Sequence, residues 1–156
     1  MLLSEVFTKD LIKVNLEAED KDEAFEELVE FFCTVRNSNA REEILKSLRE
    51  REKLMSTGIK PGVAIPHGKI LLLDDIRGIC GVSKKGIEYE ALDGRPVHLI
   101  FMLLVPDETD KHLKALKNLA ELLLNPQFYT DMCSQRDVEG VYTTLKEYED
   151  HFIEMM

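Results

Sequence analysis

Positive charge, cysteine and long apolar runs are all scarce in this chain of 156 residues. Lys and Arg number 20 against 30 Asp and Glu, a formal net charge of −10. Duplex nucleic acid and anionic membranes are held by clustered Lys and Arg, so neither fits as a direct partner. Three cysteines, Cys33, Cys80 and Cys133, are too few and too scattered for a disulfide framework or a CxxC metal site. The longest apolar runs, 99–105 (LIFMLLV) and 70–73 (ILLL), fall far short of the roughly 20 residues a membrane span needs. The opening MLLSEVFTKD has no basic n-region and includes Asp10, so no signal peptide is expected. No G-x-x-x-x-G-K-[ST] or G-x-G-x-x-G loop occurs, which leaves nucleotide binding without support. These absences point to a cytoplasmic protein and leave open what an acidic chain does with another anion.

What is present suffices for one packed domain. Apolar residues make up 44% and charged residues 32%, enough for a core and a soluble surface. No linker or repeat divides the chain, so 1–150 is expected as one domain with 151–156 as a tail. Asp20 and Glu23 resemble a capping box, and Phe25, Leu28, Val29 and Phe32 recur at helical spacing, predicting a helix over about 21–36. A second helix is expected from an Asn39 cap to about Leu54, with Ile44, Leu45 and Leu48 inward. Residues 56–68 (STGIKPGVAIPHG) hold three glycines and two prolines and cannot be regular helix.

Strands are expected at about 69–73, 78–83, 87–91 and 97–105, the last apolar on both faces except at His98. Asp93-Gly94 signals a tight turn between the final two. Asp107 or Thr109 should cap a helix with Leu113, Leu116, Leu119, Ala120 and Leu123 on one face. Pro126 restarts the chain as a helical N1, with helices at about 126–134 and 137–149. Helices, then strands, then helices imply an α/β chain with a mixed sheet between helical layers.

His67 is the strongest candidate for chemistry. It lies in Ile65-Pro66-His67-Gly68, where Pro66 fixes φ and the flanking glycines permit close backbone approach. A structural turn histidine is the simpler reading of such a residue alone. From Arg49 to Lys69, however, five bases (Arg49, Arg51, Lys53, Lys60, Lys69) face two acids (Glu50, Glu52), a local surplus of three positive charges. Nearby positive charge favours a neutral, nucleophilic imidazole and would stabilise an arriving phosphoryl group. A solvated helix end explains the same bases equally well. His112, in the first turn of its helix, should stay neutral beside the helix dipole, at a terminus whose N–H groups suit an anion, although a surface histidine fits too. His98 reads as structural, and His151 lies in a polar tail. The histidines are too far apart, with no cysteine beside them, for a zinc site. None of the three cysteines has the basic setting of a nucleophile.

Arg51-Glu52-Lys53, Ser56-Thr57-Gly58-Ile59 and Gly62-Val63-Ala64-Ile65-Pro66-His67-Gly68 together resemble the mannitol/fructose-type (type-2) EIIA domains of the bacterial phosphoenolpyruvate:sugar phosphotransferase system. The nitrogen-regulatory EIIA proteins are similar. Ala91-Leu92-Asp93-Gly94 with Pro96-Val97, and His112-Leu113 opening a helix, extend the likeness from Leu3 to about Glu147. The resemblance implies a three-layer α/β/α sandwich on a mixed sheet. It implies that His67 accepts a phosphoryl group on its tele nitrogen from HPr or a nitrogen-branch counterpart. The group would then pass to an EIIB cysteine in fructose- or mannitol-type uptake, or serve as a regulatory mark controlling a transporter, kinase or transcription regulator. Arg51 would contact the phosphoryl oxygens, His112 would be the second active-site histidine, and Ser56, Thr57 and Gly68 would support the phosphate. No metal or nucleotide cofactor is implied. One departure stands out: the family often has Gly-Asn-Gly where this chain has Lys60-Pro61-Gly62, so Pro61 removes a backbone N–H and Lys60 adds charge.

Overall fold

The computed structural model describes residues 2–107 and 110–156. Helix α1 (Leu3–Val6) and a 3₁₀ turn (Lys9–Leu11) lead into strand β1 (Ile12–Lys13). Helices α2 (Lys21–Arg36) and α3 (Arg41–Leu54) follow, then β2 (Val63–Ala64), β3 (His67–Lys69), β4 (Arg77–Ile87) and β5 (Val97–Val105). Helices α4 (Asp110–Leu123), α5 (Pro126–Ser134) and α6 (Val138–Glu154) complete the chain.

The sheet is mixed. Its order is β1-β4-β5, with β2 and β3 both lying parallel to the other side of β5. β4 and β5 pair antiparallel, and β1 runs parallel to β4. β2 and β3 are two pieces of one edge, in register with Leu99–Ile100 and Leu103–Val105 of β5 and broken at Ile65-Pro66. Proline has no N–H for a ladder, and an edge is where sheets tolerate it.

Alternate residues of β5 serve two cores. Ile100, Met102 and Leu104 pack with Phe25 and Leu28 of α2 and Ile44 and Leu48 of α3. Leu99, Phe101 and Leu103 pack with Leu3 of α1, Leu119 of α4, Phe128 of α5 and Leu145 of α6. The result is the expected α/β/α sandwich, with a central strand buried on both faces because helices cover both.

Several element boundaries differ from expectation. α2 matches, with Asp20 accepting from Glu23 N and Asn37 closing the helix in the left-handed region. α3 starts at Arg41 with Ala40 at its N-cap, not Asn39, because the Ser38 hydroxyl takes the Ala40 N–H instead. The edge strand stops at Lys69: after Ile70 N bonds Val105 O the chain turns, leaving Leu71 and Leu72 exposed. No separate strand spans 87–91. β4 runs through to Ile87, Glu88 makes an isolated bridge to Asp20, and Tyr89 dives into the core before Glu90 reverses the chain at φ 59°. The Asp93-Gly94 turn is present, with Gly94 N bonding Ala91 O at 2.9 Å.

The apolar face of α4 is rotated from the predicted one. Ala115, Leu119 and Leu122 are buried, Leu116 and Leu123 partly so, whereas Leu113 and Ala120 face outward. That rotation brings His112 to the inside. Thr109, one proposed cap of this helix, lies outside the described residues, and exposed Asp107 approaches Lys69 at 3.8 Å. α5 has Pro126 at N1 after an Asn125 cap, as expected. Residues 151–156, read as a tail, instead continue α6 to Glu154, with Phe152 packed on the α4–α6 layer.

Candidate functional site

His67 opens β3 on the sheet edge, where the two helical layers meet. Gly68 faces the α3 layer and His67 the other side. A Cβ on Gly68 would sit 2.6 Å from the Ser47 hydroxyl, so only glycine lets α3 approach this closely. The contact lines up one face of α3: Ser47 and Arg51, four residues apart, border the same open cleft as His67, Gly68, Lys69, Val105 and His112. The cleft has a volume of about 190 Å³.

The hydrogen bonds define the imidazole's state. Nδ1 of His67 lies 3.0 Å from the Ile65 carbonyl, which can only accept, so Nδ1 carries a proton. Nε2 lies 3.2 Å from Nε of Arg51, which can only donate, so Nε2 presents a lone pair. The ring is therefore neutral with its nucleophilic atom facing the cleft. Arg51 is itself held, donating from Nη1 to Met55 O at 2.9 Å. From the opposite layer comes His112, 7% exposed, its ring centroid 5.7 Å from that of His67 at a 50° tilt.

The basic surplus read from the sequence is not delivered whole. Arg49 turns away to Asp22 and Glu26, at 2.9 and 3.2 Å. Lys53 borders a different hollow with Lys21, Phe25 and Glu90. Arg51 and Lys69 are the two bases of that segment that line the His67 cleft. Helical periodicity explains the split, since Arg49 and Arg51 lie about 200° apart around α3.

Ser56 and Thr57 do not line the cleft. The Ser56 hydroxyl accepts from Gly58 N at 3.2 Å, closing its own turn. The Thr57 hydroxyl is buried against Glu52 and Tyr89, at 2.7 Å from each. Their contribution is to the shape of the loop beside Arg51. His98 is structural as read, its Nδ1–H donating to Ser83 O at 2.9 Å. Burial pushes the thiols of Cys33, Cys80 and Cys133 up from their ordinary pKa, which fits inert positions.

Chains similar to this one occur among known proteins. The family described as "Phosphoenolpyruvate-dependent sugar phosphotransferase system, EIIA 2" matches residues 5–148. The chain belongs to that family. A nitrogen regulatory protein of Bradyrhizobium diazoefficiens is 34% identical over 93% of this chain and 95% of its own length. The crystal structure of the nitrogen regulatory protein IIA-Ntr from Neisseria meningitidis superposes with a TM-score of 0.83 at 31% identity, covering 92% of this chain and 98% of that one. The fructose-specific EIIABC component of Bacillus subtilis is 31% identical over 96% of this chain, which spans only 24% of that longer protein.

EIIA domains are phosphoryl carriers, a kind of transferase. Among the described residues no helix of this EIIA chain is long and apolar enough to cross a membrane. The family departure at Lys60-Pro61-Gly62 forms a turn with Val63 N bonded to Lys60 O at 3.0 Å. Pro61 supplies the second position and Gly62, at φ 77°, the third, the requirements of a type II turn. A Cβ at Gly62 would also displace the Tyr129 ring, whose hydroxyl it would meet at 2.3 Å.

Glu52, Tyr89 and Lys21 were missed as neighbours of the site. Glu52 is 9% exposed and lies behind the cleft, with Lys21 3.3 Å away. A signal was available: Leu45, Leu48 and Glu52 follow the helical stripe that faces the core, so a carboxylate falls in an apolar register.

Proposed function

We propose that Nε2 of His67 accepts a phosphoryl group from an HPr-type phosphocarrier, or its nitrogen-branch counterpart, and passes it to the cysteine of an EIIB partner. The observation that carries this reading is the pair of bonds on the ring, Nδ1–H to Ile65 O and Nε2 toward Arg51. The bond to Ile65 selects one tautomer and leaves one nucleophilic nitrogen. In the transfer, the Nε2 lone pair attacks phosphorus in line as the donor's bond to phosphorus breaks and its electron pair returns to the donor. The proton stays on Nδ1, still donated to the Ile65 carbonyl, so no proton need leave the ring. Transfer onward reverses the roles: a thiolate attacks the phosphorus and the N–P pair returns to Nε2.

Catalysis of such a transfer is positioning plus charge stabilisation. The Arg51 Nε–H exchanges Nε2 for a phosphoryl oxygen, Lys69 adds positive charge at the cleft wall, and His112 offers a ring N–H from the other layer. Incubation with phosphoenolpyruvate, enzyme I and HPr should add one acid-labile phosphate, seen as a single mass increment. Labelling of His67→Ala would overturn the assignment of the acceptor.

Identity of 34% over nearly the whole of a nitrogen regulatory protein supports a second destination. In that reading, phosphorylation of His67 controls association with a transporter, kinase or transcription regulator in the cytoplasm. Purified phospho-protein offered to the EIIB proteins of the source organism separates the two. Transfer to an EIIB cysteine supports sugar uptake, and retention of the label by His67 against all of them supports regulation.

A further inference from the structure

Both halves of the cleft trace back to one buried carboxylate. Glu52 Oε2 accepts the Thr57 N–H at 2.8 Å, and Oε1 accepts the Thr57 hydroxyl at 2.7 Å. The Tyr89 hydroxyl closes the group by donating to Thr57 Oγ1 at 2.7 Å. Lys21 balances the charge, 3.3 Å from Glu52 Oε2 and 5.1 Å over the Tyr89 ring. A carboxylate so buried and fully bonded holds the Thr57 peptide more firmly than a neutral acceptor would.

From Thr57 two routes lead to the reacting atoms. Backward along the chain, the loop it anchors carries Met55, whose carbonyl holds Arg51 Nη1 at 2.9 Å. Across the loop, Thr57 O accepts the Ile65 N–H at 3.1 Å, and the Ile65 carbonyl in turn holds Nδ1 of His67 at 3.0 Å. The donor and acceptor of the Arg51–His67 bond are thus aimed from a common anchor. We propose that Glu52 is a positioning residue for phosphoryl transfer, setting the His67 tautomer and the Arg51 guanidinium together through Thr57. Glu52 lines no part of the cleft and touches no reacting atom.

This inference rests on the phosphoryl-acceptor reading of His67, but its test has an arm that needs no phosphoryl donor. Long-range ¹H–¹⁵N spectra of the His67 imidazole report its tautomer directly. Wild type and Glu52→Gln, which keeps the shape and can still bond Thr57, should both show Nδ1–H with bare Nε2. Glu52→Ala should give a mixture of tautomers and, in the phosphorylation assay, a fall on the order of 10²-fold, the scale of a misplaced reacting group. Leu145→Ala, a truncation in the opposite layer, controls for lost stability and should leave the tautomer and rate unchanged. If Glu52→Ala does not fold, Thr57→Val decides, with the same tautomer mixing expected. A single wild-type tautomer with a wild-type rate in Glu52→Ala, or in Thr57→Val where it stands in, would overturn the proposal, as would equal disturbance by Leu145→Ala. Failure of wild type to accept phosphate would instead count against the reading of His67 while leaving the tautomer comparison intact.

Discussion

Nε of Arg51 lies 3.2 Å from Nε2 of His67, so the guanidinium occupies the lone pair that attacks phosphorus in the proposed transfer. At rest this bond orients the ring and shields its nucleophile. When a phosphoryl group arrives, the same N–H has only to move from nitrogen to oxygen, because Met55 O keeps the guanidinium tethered nearby. Little reorganisation is needed at the moment of reaction, which is where preorganised donors exert their effect.

Arg51→Lys is therefore expected to behave as a disruptive change. An ammonium has no planar fork with which to bond Met55 O and His67 Nε2 at once. We expect phosphoryl acceptance to fall by roughly 10²–10³-fold, the range for losing one preorganised donor. Rapid-quench measurement of phosphoprotein formation checks this, and a rate within a few-fold of wild type would contradict it.

Gly68→Ala tests the close approach of β3 to α3. Its Cβ would meet Ser47 Oγ at 2.6 Å, Ser47 Cβ at 3.1 Å and Leu48 N at 3.3 Å. Overpacking of this kind costs about 1–3 kcal/mol. Urea denaturation should show that loss, and Ser47→Ala in the same chain should recover part of it by removing the nearest atom. Equal losses in both backgrounds would show that the backbone of α3, not the hydroxyl, sets the clash.

How much of this was legible before folding depends on the kind of signal. Strand β5 was clear because an apolar run interrupted only at His98 fits a strand covered on both faces. α2 was clear because Asp20 and Asn37 punctuate it. His67 was legible from its rigid loop and Arg51 as its partner through the family resemblance, and the structure brings the two together. The face of α4 was misjudged because leucines fill both sides of that helix, and a pattern rich in leucine leaves its rotation undecided. The charge surplus stayed undecided for a related reason. Arg49 takes the solvated alternative, paired with Asp22 and Glu26 on α2, a tertiary contact with no local trace. Glu52 is legible only as the continuation of the inward stripe of Leu45 and Leu48 on α3.

Acid sensitivity should arise partly at Glu27. Burial alone would raise its pKa, but the Lys13 ammonium at 2.8 Å and the N–H groups of Glu17 and Ala18 outweigh that and hold it below the usual glutamate range. A carboxylate depressed in the folded state contributes stability above its unfolded pKa and loses it as pH falls through the folded one. Glu27→Gln should therefore destabilise the protein near neutrality and flatten the fall in stability below about pH 4.5, the ordinary glutamate value. Thermal unfolding across pH 3–7 checks this; parallel curves for variant and wild type would remove Glu27 from the account.

His112→Ala separates positioning from nucleophilicity in the cleft. Its ring centroid lies 5.7 Å from that of His67 across the cleft. We expect slower phosphoryl acceptance, by roughly 10–10³-fold for a lost donor to a charged oxygen, with the phosphate still on His67. Peptide mapping of the phosphorylated variant locates the label, and a label elsewhere would assign His112 a different role.

The central claim is that the Ile65 carbonyl selects the nucleophile by keeping the proton on Nδ1. The linkage of the phosphohistidine tests this most directly. ³¹P and ¹⁵N spectra of protein phosphorylated through phosphoenolpyruvate, enzyme I and HPr distinguish the two ring positions. The account predicts a single phosphate on Nε2 of His67 and no signal from His67→Ala. Phosphate on Nδ1, or a phosphohistidine signal persisting in His67→Ala, would contradict it.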